Sequence, residues 1–233
     1  MRRFFTPLCV RLYILLAICT GFNAAWPRMV RSEWNRERLY RNMLAGNDKE
    51  RIAAAESLVA CGGREQLMKA LQSDSASIRT VAISALYDIW MAQEGEEAAF
   101  LLHVAGNSLE NKNLKGALNH LNRLTSMHPF FAEGWNRRAT LLWQLGLVEK
   151  ALADCRKVVL LNPEHFAAWQ GMGMCHLRLG NYEPAVKAFE QAAKLMPYDR
   201  TVQRNLRLSQ EMLQREKKQP APARTPEPVG ESV

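Results

Sequence analysis

The 233 residues carry 31 basic against 23 acidic side chains, a net charge of +8, and are 48% apolar but only 8% aromatic. That apolar fraction with evenly interspersed charge excludes a wholly disordered chain, and a mean hydropathy of −0.25 excludes a polytopic membrane protein. Abundant Ala, Leu, Glu, Arg and Gln, without sustained Val, Ile or Thr alternation, predict helices rather than a sandwich or barrel.

Residues 1–25 contain no acid, open on Met1-Arg2-Arg3 and run, after Arg11, into an apolar stretch from Leu12 to Cys19. This pattern predicts an export signal, cleaved or kept as an anchor, and so an exported protein, periplasmic or otherwise extracytoplasmic, soluble or tethered. From Leu12 to Ala25 the stretch is shorter than the roughly 20 apolar residues of a membrane-spanning helix. Leu16-Ala17-Ile18-Cys19 resembles a lipobox, but Ile18 is bulky where that motif needs a small residue. Cys9 and Cys19 fall in the leader; Cys61, Cys155 and Cys175 remain, too few for a disulfide framework.

Within residues 26–92, Arg51-Ile52-Ala53-Ala54-Ala55-Glu56-Ser57-Leu58 sets over Arg79-Thr80-Val81-Ala82-Ile83-Ser84-Ala85-Leu86 at a constant offset. Each copy follows a polar turn, Asn47-Asp48-Lys49 or Ser73-Asp74-Ser75. The pairing is similar to short HEAT repeats, which implies an Asp or Asn cap on the second helix and an Arg on its first turn bonded to neighbouring turns. An irregular helical cap on the segment that follows accounts for the same residues.

Downstream, Pro129, Pro163 and Pro197 are evenly spaced, and the same interval separates Ala117, Ala151 and Ala185, and again Leu101, Trp135 and Trp169. A 34-residue period without insertion predicts a helical repeat array. The residues Trp169, Met172, Gly173, His176, Ala185, Phe189 and Pro197 match the pattern W-x2-L-G-x2-Y, A-x3-F, P, and the segments resemble tetratricopeptide repeats over 98–131, 132–165 and 166–199. The similarity decays towards the first unit. Gly146 and Gly180 are placed to end first helices in a left-handed conformation, and the prolines to end second helices. Residues 200–217, with Val202, Leu206 and Leu213 on one face, read as a capping helix, and the Pro-rich segment 218–233 as a disordered tail. The fold expected is all-α, a right-handed solenoid of antiparallel helix pairs whose stability comes from stacking neighbours.

Glycine-rich phosphate loops, His-Glu-x-x-His and Gly-x-Ser-x-Gly are absent, so no enzyme, cofactor or metal is expected. Met172, Met174, Cys175 and His176 have soft-ligand chemistry, but consecutive helical residues point in different directions, which favours core packing. His103, His120, His128 and His165 are scattered as capping or surface residues. Cys155 and Cys175 fall on helices that stack in such an array, leaving a disulfide and two buried free thiols both open.

The resemblance implies a concave groove lined by first helices, and its inward positions map onto Glu133, Asn136, Arg137, Thr140, Trp143, Gln170, Met174, Leu177 and Arg178. Leu109, Trp143 and Leu177 are one period apart and form either an apolar strip or packing within each repeat. Repeats of this kind that clamp an acidic chaperone C-terminus use Lys, Asn and Arg at set places, which here hold Leu102, Gly106, Arg137, Ala167 and Gly171. Only Arg137 keeps a clamp-like donor. The reading that follows is a non-enzymatic scaffold of the cell envelope that binds a partner peptide or helix in the groove. The alternative is a basic surface, drawn from Arg28, Arg31, Arg36, Arg38 and Arg41, that binds nucleic acid or an anionic membrane.

Overall fold

A computed structural model describes residues 31–218. Every regular element among them is an α-helix, in two compact units divided between Gln93 and Glu94. The leader and the Pro-rich tail lie outside the described residues. None of the described helices is long and apolar enough to cross a membrane.

The first unit contains α1 (Glu33–Ala45), α2 (Asp48–Cys61), α3 (Arg64–Ala70) and α4 (Ala76–Met91). Its core is Met43, Leu58, Leu67, Leu71 and Leu86, all fully buried. Asn47 begins α2 with a capping box: its Oδ1 accepts from the Lys49 and Glu50 amides, and Glu50 Oε2 accepts from the Asn47 amide. The second polar turn departs from the expected cap, because Ser75 stands at the N-cap of α4 and makes no side-chain cap bond. Arg79 organises that turn instead, with Nη1 donating to the carbonyls of Ser73 and Asp74 at 2.8 Å each. Arg51, its equivalent in the preceding copy, donates to Asp48 Oδ1 and to Ser77 Oγ of the neighbouring turn, both at 3.1 Å.

The second unit is built from α5 (Glu96–Glu110) and α6 (Leu114–Met127), α7 (Ala132–Gln144) and α8 (Val148–Leu161), α9 (Phe166–Arg178) and α10 (Tyr182–Leu195), then α11 (Arg200–Lys218). The punctuation residues act as their chemistry dictates. Gly146 and Gly180 take φ of 76° and 74°, and the amides beyond them, Leu147 and Asn181, reach back to the carbonyls of Leu142 and His176 at 2.9 Å. His128, Asn162 and Met196, each before a proline, have φ between −123° and −139° and so leave the helix.

Small residues set the spacing of the pairs. Ala117, Ala151 and Ala185 are completely buried, and a Cβ on Gly173 would come within 2.8 Å of the Phe189 ring. One connected core of Ala139, Leu142, Ala151, Leu152, Cys155, Met172 and Cys175 runs through α7, α8 and α9. Stability therefore resides in the seams between pairs rather than in a single centre.

The period continues past the third proline. Trp135 and Trp169 donate their indole N–H to the carbonyls of Pro129 and Pro163, at 3.1 and 2.7 Å, and Gln203, one further period on, donates to that of Pro197 at 2.9 Å. The α11 helix thus stacks in the register of a further first helix. Its buried face differs from the expected one: Val202, Asn205 and Ser209 are buried, while Leu206 and Leu213 are only half-buried. Polar residues are tolerated there because Ser209 Oγ donates to the Asn205 carbonyl at 2.7 Å and Asn205 Nδ2 donates to Met174 Sδ at 3.4 Å.

Candidate functional site

Three helices of the second unit border an open cavity of about 220 Å³, with α7 and α9 as walls and α8 as floor. Asn136, Thr140 and Trp143 come from α7, Gln170 and Met174 from α9, and Cys155 from α8. Five expected groove residues, Asn136, Thr140, Trp143, Gln170 and Met174, therefore line one concavity. They converge because positions three or four apart share a helix face, and the repeat period presents the same face on α7 and α9.

Arg178 stands beside this cavity, with its guanidinium 5.2 Å from the centre of the Trp143 ring. Trp143 also packs against the core that runs through α8. Leu177 is half-buried, and Leu109 is 38% exposed on α5. Neither lines the cavity, so Trp143 alone of that trio does.

Helical spacing directs Glu133 towards a partner, but its side chain is completely buried. The carboxylate is held from three sides. Oε2 accepts from Asn136 Nδ2 and faces His165 Nε2, both at 3.1 Å, and Oε1 accepts from Arg137 Nε at 2.5 Å. His165 Nδ1 in turn accepts from the Ala168 amide, which puts the ring proton on Nε2 and directs it at Glu133. Glu133 thus positions Asn136 and Arg137, the latter half-exposed, rather than presenting charge to solvent. His165 is a buried helix cap, not a surface residue. His128 is half-buried and 3.1 Å from Glu94.

A second network escapes sequence reasoning. Arg138 forms a two-pronged pair with the buried Asp154, at 2.7 and 2.8 Å, and its Nη1 donates to Thr125 Oγ1 and Asn122 Oδ1. The guanidinium also lies 4.6 Å from the Trp135 ring centre. One side chain so ties α6, α7 and α8 together. The only signal in the sequence is an Arg on one helix and an Asp on the next, a pairing that follows no recognisable spacing rule.

Cys61, Cys155 and Cys175 are free thiols, all buried. Cys155 and Cys175 act on each other: the neighbouring Cys175 and then burial push the Cys155 thiol up, and Cys155 lowers Cys175 against the effect of burial. Of the four soft side chains near Met172, Met174 and Cys175 line the cavity while Met172 and His176 are buried residues of α9. His176 has its pKa lowered by burial and by Arg156, and its Nδ1 is buried without a partner.

Models of the tetratricopeptide repeat match residues 109–160 and 166–199. A TPR repeat-containing protein of Rhizobium etli is 34% identical over 113 residues, 48% of this chain and 55% of that protein. The chain carries tetratricopeptide repeats over residues 109–160 and 166–199. The human DnaJ homolog subfamily C member 7 is 31% identical over 104 residues, 44% of this chain and 21% of that protein. The matches thus span about half of the bacterial relative and about a fifth of the human one. Among solved structures, the first TPR of Spaghetti (RPAP3), bound to an HSP90 peptide, superposes with a TM-score of 0.50 at 21% identity over 52% of this chain and 96% of that one. The Sgt2 TPR domain of Aspergillus fumigatus also gives 0.50, at 18% identity over 60% of this chain and 92% of that one. These likenesses show the tetratricopeptide fold of the second unit.

Proposed function

We propose that this protein is a non-enzymatic interaction scaffold whose α7–α9 concavity seats an extended peptide or a helix of a partner protein. The observation that carries the reading is the convergence of Asn136, Thr140, Trp143, Gln170 and Met174 on one open concavity, over a floor that is fixed by buried residues. Amide side chains supply hydrogen bonds to a partner backbone, and the Trp143 wall supplies apolar area. The RPAP3 repeat that shares the fold was solved with an HSP90 peptide. Here the set of clamp donors is reduced to Arg137, which argues against the same acidic C-terminus as ligand.

The leader Met1-Arg2-Arg3 and the apolar run after Arg11 support an exported scaffold of the cell envelope. The Arg51 and Arg79 bonds support the HEAT-like reading of the first unit. A crosslinking pull-down from the native cell with wild-type, Trp143→Ala and Gln170→Ala chains tests the groove. Salt-tolerant recovery of a protein that both variants lose is the expected result. Unchanged recovery contradicts the groove, and steeply salt-dependent retention of nucleic acid or lipid favours the basic-surface alternative.

A further inference from the structure

The cavity owes its existence to one position of the repeat. Leu121, Cys155 and Phe189 are equivalent, each one period from the next, at the place where the pattern A-x3-F has its large apolar residue. Leu121 and Phe189 are fully buried and fill the space before the first helix: the Phe189 ring lies where a Cβ on Gly173 would be, and Leu121 coexists with Ala105. In the second repeat the corresponding pair is Cys155 with Ala139, and both line the cavity. The volume that a Leu or Phe would occupy is open instead. Gly171 lets α9 come close to this position, since a Cβ there would stand 3.2 Å from Cys155 Sγ.

The size of the space restricts its occupant. About 220 Å³ is below the roughly 300–1,000 Å³ of small-molecule sites. It exceeds the roughly 150 Å³ that accommodates a benzene ring. One branched aliphatic or aromatic side chain fits, and a cofactor does not. The lining includes no carboxylate, and the charged side chain beside it is Arg178, over the Trp143 wall, whereas Arg137 is paired with Glu133. Charge at this rim complements an acidic neighbour of the inserted side chain. Gln170 supplies an amide for the backbone beside it, and Asn136, one period earlier and held by Glu133, lines the facing wall.

We infer that the cavity left by Cys155 is a specificity pocket that takes one leucine or phenylalanine side chain, next to an Asp or Glu, from an extended partner segment. This inference rests on the groove reading above and adds the identity of what the groove selects.

The test uses the purified full chain and fluorescein-labelled octapeptide pools of Ser and Gly around a central Glu-Leu, Glu-Ser or Lys-Leu pair, read by fluorescence anisotropy. The Glu-Leu pool is expected to bind at least about tenfold tighter than either of the others. Cys155→Leu, which copies the Leu121–Ala105 packing, is expected to bring Glu-Leu binding down to the Glu-Ser level. Ala167→Leu narrows the pocket from its half-buried rim, adds nothing to the core and is expected to do the same; it decides the matter if Cys155→Leu lowers the melting temperature. Equal binding of Glu-Leu and Glu-Ser, or wild-type binding by the folded pocket variants, overturns the pocket. If in that case Gln170→Ala and Trp143→Ala still lose the native partner in the pull-down, the groove stands without the pocket.

Discussion

His165 Nε2 on α9 lies 3.1 Å from Glu133 Oε2 on α7, and neither side chain is exposed to solvent. The bond spans two consecutive first helices, so the wall that carries Asn136 and Arg137 is fixed to the wall that carries Gln170 and Met174. Removing the carboxylate leaves the His165 Nε2–H and the Asn136 amide without their acceptor in a buried place. Glu133→Ala is expected to lower stability by about 3 kcal/mol in urea unfolding. Glu133→Gln keeps an oxygen for His165 and is expected to lower it by less; equal losses contradict the tautomer assigned to His165.

Lys112 occupies the place of Gly146 and Gly180 one period earlier, and it takes the same left-handed conformation, with φ of 57°. A side chain there is strained where glycine is not. Lys112→Gly is expected to raise the unfolding free energy by up to about 1 kcal/mol, reduced by the greater freedom of glycine in the unfolded chain. A loss of stability on thermal melting contradicts this account of the turn.

His176 stands where the repeat pattern has Tyr, and burial, followed by Arg156, lowers its pKa from the ordinary 6.5. The unfolded imidazole then takes up a proton at a pH where the folded one does not. Its contribution is intact above pH 6.5 and declines as pH falls below that value towards the lowered folded pKa. His176→Phe is expected to reduce the loss of stability between neutral and mildly acidic pH, as measured by urea midpoints. An unchanged slope contradicts the assignment to His176.

Cys155 and Cys175 are reduced neighbours rather than a bridge. Alkylation of the unfolded chain without reductant is expected to label Cys61, Cys155 and Cys175 fully, with no mass change on adding reductant. A gain of two labelling sites on reduction contradicts the free pair.

Much of the repeat architecture was legible because its signals are local and periodic. Pro129, Pro163 and Pro197 mark second-helix ends through a restriction on the preceding residue, and Gly146 and Gly180 mark turns through positive φ. Lys112 shows where this fails: the conformation persists in the first repeat after the residue that advertises it is gone. The site was legible only in part. Helical spacing put Asn136, Thr140 and Trp143 on one face, but spacing alone does not distinguish a side chain facing solvent from one covered by the next helix, and so misplaced Glu133. The cover is His165, on the next first helix of the array, and its contact is a property of stacking. Arg138 with Asp154 was illegible for the same reason, as was the cavity, which follows from a volume missing at Cys155 rather than from a residue present.

The central claim is that the concavity between α7 and α9 is where a partner protein sits. Its most direct test is site-specific photo-crosslinking in the native cell, with benzoylphenylalanine placed at exposed Thr140 in the groove or at Leu160, 75% exposed on the second helix α8. The account predicts a discrete crosslinked partner from position 140, depleted by Trp143→Ala, and little from position 160. Equal crosslinking from both positions, or a partner captured from 140 undiminished by Trp143→Ala, would contradict it.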